Sequence, residues 1–109
     1  MYAIKKGKVE INSVPVDTFE REVLDGKTTL RVQAGTTGYK GGGRDAGGRT
    51  YICIHCFSGD FYFRPVRSRK GKLVGMEVAT CGDEGLDAII RALEFVCAAI
   101  DDMRCGENA

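Results

Sequence analysis

The chain lacks a dominant charge: 16 Lys and Arg against 15 Asp and Glu leave a net charge of +1 over 109 residues. That balance argues against a globally basic nucleic-acid binder and against an acidic nucleic-acid mimic. A long apolar run is also missing. The longest near-apolar stretch, residues 86–100, is broken by Asp87, Arg91 and Glu94, so no membrane span is expected. The N-terminal MYAIKKGKVEI has no apolar h-region, and the cysteines number five, which is odd. The expectation is therefore a reducing cytoplasm with free, mostly buried thiols. The glycine-rich stretch of residues 35–49 contains no Gly-Lys-Ser/Thr, no RNP1 pattern and no second Cys-x-x-Cys occurs in the chain, and there is one histidine. These absences weigh against a Walker-type NTPase, an RRM and a two-pair zinc site.

Glycine is what the chain has in excess, and it is concentrated. Of 15 glycines, seven fall within residues 35–49, inside the stretch AGTTGYKGGGRDAGGRT between two strand-like segments. Glycine loses more backbone freedom on folding than any other residue. A cluster this dense therefore implies close backbone approach to a ligand, a partner chain or the protein's own core. Phosphate-binding loops use glycine so that several N–H groups converge on an anion without Cβ interference. Here Thr36, Thr37 and Tyr39 add hydroxyls, and Lys40, Arg44 and Arg49 add cations, giving a candidate set for an anionic ligand. A strand rather than a helix follows, so no helix dipole assists. A plain flexible connection and an oligomer contact remain open alternatives.

Elsewhere the patterning reads as one α+β domain over residues 1–109. Residues 50–57 (TYICIHCF) and 61–67 (FYFRPVR) alternate as strands around a Gly59-Asp60 turn, a register that pairs Cys56 with Phe63 and His55 with Arg64. A second turn at Lys70-Gly71 pairs Arg64 with Glu77, Phe63 with Val78 and Pro65 with Met76, completing an antiparallel meander over 50–79. A C-terminal amphipathic helix opens near Asp83 and closes near Arg104 and Gly106. Its stripe of Leu86, Ile89, Ile90, Leu93, Val96, Cys97 and Ile100 is expected to pack on the Ile52/Phe63/Val78 face. Upstream, residues 8–11 and 14–16 form a hairpin about Asn12-Ser13, and 28–34 a half-buried strand. Asp17-Thr18-Phe19-Glu20 resembles a capping box, so a short N-terminal helix is expected from there to Leu24.

With one helix covering one sheet face, Tyr51, His55, Phe57, Tyr62 and Arg64 are left on the other. Exposed aromatics beside arginine suit a protein interface, and they also suit base stacking on single-stranded nucleic acid. Arg67 continues the basic run Arg64, Arg67, Arg69, Lys70 and Lys72 at a hairpin tip, which either keeps the hairpin soluble or captures an acidic partner. On a strand, Cys53 and Cys56 point to opposite faces and cannot share a tetrahedral metal, so no metal site and no cofactor are expected. His55 shares its face with Cys53, but no orienting carboxylate is apparent and no carboxylate pair stands out; no catalytic residues are assigned.

AGTTGYKGG followed closely by GGRTY resembles a group of small uncharacterised proteins encoded in phages and prophages. The resemblance covers the loop and its flanking strands, and it implies a small viral binding or inhibitory protein rather than a metabolic enzyme. The expected function is thus non-enzymatic: the basic glycine-rich loop contacts an anionic small molecule such as a nucleotide, in the host cytoplasm. One alternative is an anti-defence inhibitor that acts on a host protein through the aromatic face and the basic hairpin. A second is a single-stranded nucleic-acid binding module. A homo-oligomer built through the outer sheet face or the helix is expected, with no membrane partner.

Overall fold

The computed structural model describes residues 4–37 and 48–107, with side chains to Met103. Six strands precede one helix: β1 Lys5–Ile11, β2 Val14–Asp25, β3 Thr28–Thr36, β4 Thr50–Ser58, β5 Phe61–Arg67, β6 Leu73–Thr80 and α1 Gly82–Glu107. The class is α+β, and every strand pairing is antiparallel. β1 to β4 form a sheet in the order β1-β2-β3-β4, while β5 and β6 form a separate two-stranded ribbon.

Two tight turns set the register at the N-terminal end. Asn12 and Ser13 both take positive φ, the conformation that matches hairpin twist, and pair Ile11 with Val14. Gly26, with φ 58°, closes β2 onto β3 so that Val23 faces Leu30. The short N-terminal helix expected from Asp17 is absent; those residues belong to the long strand β2. Burial explains why. Val14, Val16 and Thr18 are buried on one face, then Val23 on the other with Phe19 packed against the core, so the buried positions change parity between Thr18 and Phe19. A strand that changes face midway shows no clean alternation, and the local Asp-x-x-Glu pattern is outweighed by twelve residues of sheet pairing.

α1 lies across β3 and β2, and the core joins Val23, Leu30, Val32 and Ala34 of the sheet to Ala88, Ala92, Phe95, Val96 and Ala99 of the helix. Alanine dominates the helical side, which lets the helix sit close to the strands. This corrects the expected stripe: Leu86, Ile90, Leu93 and Cys97 are exposed. The thiols are correspondingly less buried than expected, with Cys53 and Cys56 half-buried and Cys81 and Cys97 exposed.

β5 pairs with β6 as expected, Arg64 opposite Glu77, Phe63 opposite Val78 and Pro65 opposite Met76. The expected β4–β5 ladder, and with it the Cys56–Phe63 and His55–Arg64 pairs, is not formed. Ser58 Oγ donates to the Lys27 carbonyl at 2.8 Å, and Gly59, with φ 124°, is seated against Thr28. The chain is tied to the β2–β3 turn at that point and leaves for β5 in a new direction. The ribbon projects, and the molecule measures 45 × 45 × 17 Å with a radius of gyration of 15.5 Å. A compact chain of this length would have about 13 Å.

Candidate functional site

The glycine-rich segment connects β3 to β4 in the sequence, and the structure shows how its two roots are fastened. Thr37 N donates to the Arg49 carbonyl at 3.0 Å, and Arg49 N donates to Thr37 Oγ1 at 2.9 Å. One step further in, the Thr36 and Thr50 hydroxyls are 2.9 Å apart. Arg49 Nε reaches the Ile11 carbonyl at 3.3 Å, tying the root to the tip of the β1–β2 hairpin. Thr36 N lies 3.4 Å from Met103 Sδ on the last turns of α1, so the helix also abuts the root. Of the expected ligand set, Thr36, Thr37 and Arg49 are thereby gathered in one place. Tyr39, Lys40 and Arg44 lie outside the described residues.

Alternation along β4 carries the site down the sheet. Tyr51, Cys53 and His55 share the face away from α1, opposite Gly35, Gln33 and Arg31 of β3, and Arg49 and Thr37, just outside the two strands, are joined by a backbone hydrogen bond at the same end. Gly35 is opposite Tyr51, and here glycine is required sterically: a Cβ would overlap the Asp17 carbonyl oxygen and press on the Thr18 Cα. β2 therefore passes directly over this position. Next to it, Gln33 Nε2 donates to Thr18 Oγ1 at 2.8 Å. Burial pushes the Tyr51 phenol above its ordinary pKa, with the neighbouring Cys53 acting the same way and Arg31 opposing.

At the far end of this face three side chains form a stack. His55 lies on Phe57 with centroids 4.3 Å apart and planes at 29°, and the Arg31 guanidinium sits 5.2 Å above the Phe57 ring. An Arg31 terminal nitrogen is 3.2 Å from His55 Nδ1. Arginine can only donate, so Nδ1 is the acceptor in this contact. A bulge between Thr29 and Leu30 of the β3–β4 ladder brings Phe57 into this stack. Sequence reasoning placed Tyr51, His55 and Phe57 together correctly but missed Arg31, because the β3–β4 register could not be read across an intervening loop.

The other expected interface residues are elsewhere. Tyr62 and Arg64 stand on the β5–β6 ribbon, where Arg64 Nε meets Glu77 Oε1 at 2.8 Å, and Arg67 donates to the Gly71 carbonyl at 3.2 Å. They do not extend the β4 face. A cleft of about 470 Å³ on the β1–β2 side of α1 had no sequence signal; Phe19, Phe95 and Ala99 floor it, and Arg21, Arg91, Glu94 and Asp102 rim it. Its mixed charges mark no single ligand class. No family model, no curated protein and no solved structure matches the chain. No helix among the described residues is long and apolar enough to cross a membrane.

Proposed function

We propose that the protein is a non-enzymatic binder of a small phosphorylated ligand such as a nucleotide. The observation that carries this reading is the continuity of one face: Arg49 at the root of a cationic, glycine-rich loop, Tyr51 two residues on, and the Arg31–His55–Phe57 stack beyond. Residues two apart on a strand are separated by roughly 7 Å, close to the span between a phosphate and the base it carries. Phosphate oxygens would meet loop amides together with Lys40, Arg44 and Arg49, and a base would lie on an aromatic or guanidinium plane. The free thiols suit work in the cytoplasm, and the loop's resemblance to phage-encoded proteins suits a protein that sequesters a host nucleotide.

The test is a thermal-shift panel of nucleoside mono-, di- and triphosphates. A ligand at one hundred times its Kd adds about 2.7 kcal/mol to the folded state, raising Tm by on the order of 10 °C. Arg44→Ala should abolish that rise while leaving the unliganded Tm unchanged. Absence of any shift across the panel would contradict the reading. It would favour contact inhibition of a host protein, to which the exposed Phe57 and Tyr62 lend themselves. Retention on single-stranded oligonucleotides that falls steeply with salt would point instead to nucleic acid.

A further inference from the structure

The helix α1 is apolar over far more of its circumference than the sheet covers. At 100° per residue the sheet-facing arc runs from Phe95 through Ala92 to Val96, and the apolar side chains continue past Ile89 and Ile100 to Leu86, Ile90, Leu93 and Cys97. The last four recur at steps of 4, 3 and 4, the spacing of a helical seam. Arg91, Glu94 and Asp102 rim the cleft toward β1 and β2 on the opposite flank, so the exposed seam faces the β4 side. Ile52 of β4, paired with the core residue Ala34 on the same side of the sheet as α1, is also exposed.

β4 is the outer strand of its sheet, yet residues 50–58 contain no Lys, Arg, Asp or Glu. The opposite outer strand, β1, carries Lys5, Lys6 and Lys8. Charged residues are the usual protection of a free edge, and only one of the two edges has it. The trough between α1 and β4 is thus apolar on its helical wall, apolar on its floor and unguarded at its rim.

The β5–β6 ribbon has the matching shape. Phe61, Phe63, Val74, Met76 and Val78 share one of its faces, and the Arg64–Glu77 ion pair occupies the other. Phe61 anchors the root of the ribbon against the core, and beyond it the apolar face is uncovered. An isolated two-stranded ribbon is at best marginally stable in water, so this one requires a surface. Ile52, Phe63, Val74, Met76, Val78, Leu86, Ile90 and Leu93 are each between 40% and 60% exposed. Together they leave on the order of 700 Å² of apolar surface in water. That exceeds the largest patch of most monomers and approaches the ~800 Å² that each partner contributes to a standard interface.

We infer that this surface is a homodimer interface in which the β5–β6 ribbon of each copy lies in the α1–β4 trough of the other. The occupant is a second copy because the chain carries both halves: an unsupported apolar ribbon and an uncovered apolar trough of similar extent. A twofold arrangement satisfies both at once and leaves no unused half to propagate a fibre. The other ribbon face, which carries the Arg64–Glu77 ion pair together with Tyr62 and Val66, then looks outward.

Sedimentation equilibrium of the full chain at micromolar concentration should give twice the 11.8 kDa chain mass. Leu93→Glu in the trough and Met76→Glu on the ribbon should each give the single-chain mass with an unchanged circular dichroism spectrum, since both positions are exposed within one chain. Glu94→Gln, on the other flank, should leave the dimer intact. Should a glutamate variant misfold, hydrogen exchange of the wild-type protein decides: amides of residues 61–80 are protected at high concentration and lose that protection on dilution. A wild-type chain that stays monomeric at 100-fold higher concentration overturns the inference. So does an assembly that survives either glutamate substitution.

Discussion

Gly35→Ala is expected to destabilise the protein by about 3 kcal/mol, lowering Tm by on the order of 10–20 °C. The added methyl would overlap the carbonyl oxygen of Asp17, and the neighbouring obstacle is the Thr18 Cα. Both belong to backbone, which cannot rotate aside as a side chain would. To make room, β2 has to lift from β3 next to the roots of the glycine-rich loop, so the substitution should also weaken any ligand bound there. Gly75→Ala provides the comparison. There the Cβ meets only Val66, at 3.7 Å, an ordinary contact. That variant should melt within a few degrees of wild type. Thermal melts of the pair separate close strand approach from a general dislike of alanine for glycine; equal, small losses in both would show that β2 does not pass over Gly35.

Leu30→Ala is the second large effect. Leu30 is fully buried between Val23 and the helix, with no exposed atom to keep solvated after truncation. Removing its side chain leaves a cavity and should cost roughly 2–5 kcal/mol by denaturant titration. That is a large share of the ~5–15 kcal/mol that holds a typical domain together. Leu93→Ala, although the same exchange on the element that covers Leu30, should cost less than about 1 kcal/mol of single-chain stability because Leu93 is half exposed. A comparable loss at both positions would mean that the helix turns a different face to the sheet.

The contrast between those two leucines shows where the sequence was legible and where it was not. Turn chemistry was local and readable. Asn12-Ser13 fixed a register, and the pairs Phe63–Val78, Arg64–Glu77 and Pro65–Met76 implied by a turn at Lys70-Gly71 are observed, although the ladder shifts by one residue at Arg67. Gly59-Asp60 looked equally like a turn, but its geometry depends on Lys27 and Thr28, thirty residues upstream, and these bend the chain away from β4. Periodicity failed in two further places for the same underlying reason. β2 changes its buried face at Thr18, so its alternation is hidden, and α1 buries alanine while exposing leucine and isoleucine. A pattern reading assigns the largest apolar residues to the core. Here the sheet selects small ones for close approach, and the large ones are left over.

Those leftover residues and the candidate ligand face lie in different parts of the molecule. The seam Leu86–Leu93 and the ribbon belong to the helix side, whereas Arg49, Tyr51, His55 and Phe57 belong to the opposite face of the sheet. Assembly and ligand capture should therefore be separable by mutation. A monomeric Leu93→Glu protein should retain any nucleotide-dependent rise in Tm, and Arg44→Ala should remain dimeric.

The most direct test of the ligand site is a nuclear magnetic resonance titration of isotope-labelled protein with a mixture of nucleoside triphosphates and, separately, with inorganic triphosphate. Backbone amide shifts should concentrate in residues 35–51, with Tyr51 and its neighbours responding to the nucleosides but not to the inorganic anion. Spectra unchanged at millimolar ligand, or shifts confined to the β1–β2 side of α1, would contradict the account.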